Sequence, residues 1–127
     1  MTPPDPTADS KGEAIEAAYG RRARLSLLDF LDFARLAADL VSRGKQAYDG
    51  DVQLRLAGEA IVHKLGESVA RLPANLIADY PQIPFRAMKA MRNLVMHEYC
   101  RSDPEIIWVT LALHLPAVIA QVAALMV

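Results

Sequence analysis

The residues best suited to chemistry stand together at 92–99. There Arg-Asn-Leu-Val-Met-His-Glu-Tyr sets an arginine, a histidine and a tyrosine in an otherwise aliphatic run. Arg92 is a permanent cation whose planar fork of donors suits phosphate oxygens, and His97 can take up or release a proton near neutral pH. Together they fit phosphodiester chemistry. The run holds no serine or cysteine nucleophile with a paired base and no carboxylate cluster at metal-ligand spacing. Those absences leave metal-independent acid–base work, or anion binding alone. No metal or other cofactor is expected.

On one straight helix the two groups do not share a target. At roughly 100° per residue Arg92 and Tyr99 fall on nearly the same stripe, and Asn93 and His97 lie one turn apart. Arg92 and His97 point about 140° away from each other. Either the helix loosens near His97 or a second copy of the chain completes the site. A plainer account stays open, in which an arginine and a histidine satisfy helix ends and buried carbonyls. Asn93 serves a phosphate oxygen, His97 or its own local backbone.

The segment resembles the Arg-X4-His-X-Tyr motif of HepT-like proteins, a branch of the HEPN superfamily. The resemblance runs in order from about residue 25 to 125. It takes in Leu65-Gly66-Glu67-Ser68, Arg71-Leu72-Pro73, the Tyr80-to-Phe85 approach, Met91 before Arg92, and the restart at Asp103-Pro104-Glu105-Ile106-Ile107-Trp108. Ser68, Phe85 and Ala90 depart from the family's usual Ala, Trp and Gly, and none of these changes removes a reacting group. The resemblance implies a homodimer in which two motif-bearing helices form one composite cleft acting on RNA. Arg92 would bind the scissile phosphate and His97 would act as acid or base in attack by the ribose 2′-hydroxyl. It also implies a partner, a minimal nucleotidyltransferase antitoxin that transfers AMP to Tyr99 and so silences the toxin. Glu67 occupies the family's Gly-Glu step, where a carboxylate either orients an arginine or histidine on a facing helix or is a plain surface acid.

The elements that must position these groups read as helices almost throughout. The chain has 127 residues, 53% of them hydrophobic, and a formal net charge of -1, enough for one core and one domain. Ala, Leu, Glu and Arg dominate, so the fold class expected is all-α: an antiparallel four-helix bundle with a short extra turn. Residues 1–20 are expected to form a flexible arm, with a helical turn at 13–19, and residues 21–127 the helical domain. A first long helix spans about Arg22 to Gln46, with Leu25, Leu28, Leu31, Leu36 and Leu40 at helical spacing. Asp51 caps a second helix from Val52 to about Arg71, whose stripe is Leu54, Ala57, Ile61, Leu65 and Val69, and whose Gly58 and Gly66 let another backbone approach. His63, beside Lys64 with no partner ligand in sight, reads as structural. Pro73, Pro81 and Pro84 punctuate a short turn before the third helix, which carries the motif.

That third helix also carries Arg86, Lys89 and Arg92 at three-residue intervals. From Phe85 to Arg101 inclusive there are four basic residues, Arg86, Lys89, Arg92 and Arg101, and one acid, Glu98. The strip favours an RNA backbone, although a solvated face explains it as well, and the near-neutral total points to a local site rather than a long electrostatic footprint. From Ile106 to Val127 the 22 residues bear no formal charge, which is long enough for a membrane anchor. Thr110, His114, Pro116 and Gln121 inside that stretch favour a bundle helix buried on two sides and kinked at Pro116, with no membrane partner. Cys100 is the only cysteine, so no internal disulfide asks for an oxidising compartment, and a cytoplasmic location is expected. The competing function is a non-catalytic helical module, a dimerisation or nucleotide-binding partner of a nucleotidyltransferase, in which Arg92 and His97 merely hold a phosphate.

Overall fold

Glycines, prolines and side-chain caps punctuate the helices of the computed structural model, which describes residues 9–96 and 103–127, with the backbone alone for 93–96. In order these are α1 (Ser10–Tyr19), α2 (Arg21–Ser42), α3 (Lys45–Gly50), α4 (Val52–Ala70), α5 (Ala74–Asp79), α6 (Phe85–Met96), α7 (Pro104–Val109), a π-helical turn (Thr110–His114) and α8 (Leu115–Met126). No strand occurs among the described residues. Four long segments, α2, α4, α6 and the continuous α7–π–α8 rod, make the all-α bundle. Gly20 (φ 99°) and Gly44 (φ 88°) sit in the left-handed region open to glycine, and they separate α1 from α2 and α2 from α3. The first long helix therefore stops at Ser42 instead of running to Gln46, because Gly44 turns the chain into a separate short helix. Asp51 accepts the Gln53 N–H at 2.8 Å and so caps α4 as its position suggested.

The face that α2 buries differs from the leucine stripe. Ala23, Leu27, Phe30, Ala34, Ala37 and Leu40 line the core, whereas Leu25, Leu28 and Leu36 are 47%, 40% and 52% exposed. The helix has apolar residues on two faces, and the alanine-bearing one goes inward because small side chains let neighbouring helices come close. On α4 the stripe holds better. Ile61, Leu65 and Val69 are buried, and Leu54 and Ala57 are half-buried.

The arm expected over residues 1–20 is corrected in its second half. Ser10–Tyr19 is a helix that buries Ile15. It is tied down by Lys11 Nζ to the Ala124 carbonyl (3.1 Å), by the Tyr19 hydroxyl to Asp79 (2.6 Å) and by Arg24 to Glu16 (2.6 Å) and Asp9. The uncharged C-terminal stretch is a bundle helix. Asp103 caps it by accepting the Glu105 N–H at 2.9 Å, and Ile107, Leu111, Leu115, Val118, Val122 and Met126 form its inner stripe. A π turn lies just upstream of Pro116, in which the Leu115 N–H donates to the Thr110 carbonyl five residues back.

The start of α7 is held by α3. The Tyr48 hydroxyl donates to the Pro104 carbonyl at 2.8 Å, the ring lies 5.1 Å from that of Trp108, and Lys45 bridges Asp49 and Glu105. Burial, the largest cause, pushes the Tyr48 pKa up to about 12, so the phenol stays a donor throughout the neutral range. Tyr48→Phe is expected to lower stability by about 1–1.5 kcal/mol, since it keeps the packing and leaves a carbonyl without its donor. The midpoint of urea unfolding checks this, and an unchanged midpoint would mean that water replaces the hydroxyl.

Candidate functional site

α6 follows Pro84, whose carbonyl accepts the Met88 N–H at 3.0 Å. Phe85, Met88 and Met91 bury one face of the helix, and Arg86 and Lys89 stand exposed on the other. Arg92 is half-buried between these faces, against α4. The contact there is between backbones. A Cβ added at Gly66 would lie 2.8 Å from Arg92 N and 3.0 Å from Arg92 Cβ, so only a hydrogen fits. Gly66 thus fixes how closely α6 passes α4 at the position from which the Arg92 side chain leaves.

The next residue on α4 supplies the partner. Glu67 Oε1 lies 3.4 Å from Arg92 Nη1, with the two side chains 39% and 34% exposed. Of the two readings left open for Glu67, the structure shows the acid that faces an arginine on a neighbouring helix. The Glu67 carbonyl accepts from Arg71 Nε at 3.3 Å, and Arg71 also faces Asp29 at 3.8 Å, so the end of α4 is braced against α2. A single contact at this exposure contributes roughly 0.2–1 kcal/mol. That is enough to bias the guanidinium toward one direction and too little to keep it from a phosphate, whose bidentate, charge-assisted bonds are stronger.

Ser68, beside Glu67, is fully buried and spends its hydroxyl on the Lys64 carbonyl at 2.9 Å, so its departure from alanine leaves no unpaired group. Phe85 is buried and Ala90 exposed. Arg86 lines a hollow of about 380 Å³ with Ile77, Pro81 and Ile83, near the start of the helix and away from Arg92. His97, Tyr99 and Cys100 lie outside the described residues, as does the side chain of Asn93. Among the described residues the structure therefore brings Arg92 and Glu67 together and spreads Arg86 and Lys89 along the exposed flank of the same helix. His63 carries a further signal. Its Nδ1 is shielded from solvent without a hydrogen-bond partner among the described residues.

The family described as "Ribonuclease HepT-like" matches residues 30–125. Two proteins of Methanocaldococcus jannaschii are similar in sequence. "Putative RNase MJ0127" is 30% identical over 88 residues, 67% of this chain and 71% of that protein. "Putative RNase MJ0125" is 32% identical over 54 residues, 42% of this chain and 47% of that protein. No solved structure gives a significant match. The family match takes in the basic strip, the Gly66–Glu67 step and the whole run from Arg92 to Tyr99, and the chain belongs to the HepT-like ribonuclease family of the HEPN superfamily.

Proposed function

We propose that the protein is the toxin of a HEPN–nucleotidyltransferase toxin–antitoxin pair and acts as a metal-independent endoribonuclease in the cytoplasm. The observation that carries this reading is the Gly66–Arg92 backbone contact. It sets a half-exposed guanidinium beside Glu67 at 3.4 Å, on the helix that bears the basic strip, in a chain of a ribonuclease family. Arg92 binds and neutralises the scissile phosphate, and Arg86 and Lys89 attract the flanking backbone. His97 moves a proton as the ribose 2′-oxygen attacks phosphorus and the bond to the 5′-oxygen breaks, leaving a cyclic phosphate. Two copies of the motif helix share one cleft in a homodimer, which answers the diverging directions of Arg92 and His97 on a single helix. Transfer of AMP to the Tyr99 hydroxyl places an anion beside Arg92, fills the cleft and cancels the basic strip.

RNA cleavage by the purified chain in the presence of chelator tests this reading. The natural protein is expected to cleave, and His97→Ala to lose roughly 10²- to 10⁴-fold in rate at matched folding. Equal rates would identify a contaminating nuclease. No cleavage by either, with dimerisation and nucleotide binding intact, would establish instead the non-catalytic partner of a nucleotidyltransferase.

A further inference from the structure

His63 is a titratable group that the mechanism above leaves unused. It lies on α4 one turn before Glu67, and Glu59 lies one turn before it, so the three share one flank of the helix. All three are half-buried, whereas Ala60 and Lys64 beside them are exposed and Val62 and Leu65 are buried. This flank is the edge of α4 next to the Gly66 contact with α6. The charged residues along this flank are Glu59 and Glu67, and Glu67 meets Arg92 of α6 at 3.4 Å. A histidine kept only for packing would pair its buried nitrogen, and Nδ1 of His63 has no partner among the described residues.

Two close approaches bracket this residue. At Gly58 an added Cβ would meet Ile107 Cγ2 at 3.1 Å and Tyr48 Cε2 at 3.3 Å, and at Gly66 it would meet Arg92 N at 2.8 Å. One end of this stretch of α4 therefore receives α7, and the other receives α6 at the point where Arg92 leaves it. His63 stands between them, one turn along from the carboxylate that holds the guanidinium.

We propose that His63 is a second RNA-contacting residue of this site, bonding the ribose–phosphate backbone of the nucleotide next to the phosphate held by Arg92. The inference rests on the ribonuclease reading. A neutral imidazole offers one donor and one acceptor, and a ribose 2′-hydroxyl or a phosphate oxygen can use them. The terminal torsion of the side chain is roughly two-fold, so the ring can present either edge to a ligand. Glu67 and His63 then divide the work along one flank. The acid directs Arg92 to the scissile phosphate, and the imidazole fixes the register of the neighbouring nucleotide.

The test measures binding of a short fluorescein-labelled RNA of mixed sequence in the His97→Ala background, where RNA is held without turnover. His63→Leu is expected to weaken binding about ten-fold, which is about 1.4 kcal/mol, and His63→Gln, which keeps hydrogen-bonding groups, to stay within about three-fold. The thermal midpoint of His63→Leu should equal or exceed that of the background, because the substitution removes a buried nitrogen without a partner among the described residues, whereas loss of a structural histidine would lower it. In the otherwise natural chain His63→Leu should raise KM for RNA and leave kcat unchanged. Should His63→Leu not fold, His63→Ala carries the same comparison. Unchanged affinity in His63→Leu alongside weakened binding in Arg92→Ala would overturn this inference alone. Unchanged affinity in both would remove RNA from the site and overturn the ribonuclease reading with it.

Discussion

Arg92→Ala is expected to lower the rate of metal-free RNA cleavage by on the order of 10²- to 10³-fold, the usual cost of removing one donor from a developing oxyanion. Stability should hardly change, because the lost contact with Glu67 is a single 3.4 Å approach between side chains 34% and 39% exposed. Arg92→Lys separates charge from shape. It keeps the cation but has no planar fork, and should recover only a small part of the rate. Initial rates with chelator present, beside the circular dichroism of each variant, decide the matter. A full rate in Arg92→Ala would show that the guanidinium does not touch the reacting phosphate, and full rescue by lysine would reduce its role to a point charge.

Gly66→Ala should both destabilise the bundle and depress activity. Alanine is the better helix former by about 0.8–1 kcal/mol, so propensity alone predicts a gain. The space decides otherwise. The new Cβ would lie 2.8 Å from a backbone nitrogen of α6, which moves only with its helix. Overpacking of this kind costs about 1–3 kcal/mol, so a net loss near 1 kcal/mol and a fall of roughly 4 °C in Tm are expected for a chain of this length, with Gly66→Val losing more. The same shift carries Arg92 away from Glu67, and a displacement of about 1 Å is enough to cost on the order of 10²-fold in rate. Gly50→Ala is the control, because nothing lies within 4 Å of a Cβ there and its φ is not positive. Calorimetry of the two variants gives the answer, and a Gly66→Ala protein as stable and active as Gly50→Ala would mean that α6 slides freely on α4.

Much of the architecture was legible because helix ends are local chemistry. Asp51 as a cap, the prolines before α6 and the break at Gly20 each act on their own few residues, and the structure uses each of them as its type suggests. The motif run and the Gly-Glu step were equally legible, since they are patterns of residue type. Pairing across the chain was not. Glu67 and Arg92 are 25 positions apart, and nothing in the spacing of either distinguishes an orienting acid from a surface one.

The sequence by itself determined an all-helical chain, its main breaks and the residue types available for phosphate chemistry, because propensity, capping and charge are properties of short segments. Only the tertiary structure decided which of the two apolar faces of α2 turns inward, that residues 10–19 pack as a helix instead of trailing as an arm, and that a π turn lies just upstream of Pro116. Only the tertiary structure, too, set Arg92 against Glu67 and left a nitrogen of His63 without a partner among the described residues. These outcomes depend on how closely two helices approach, and here that distance is fixed by the missing side chain of Gly66 on one helix and the backbone of Arg92 on another.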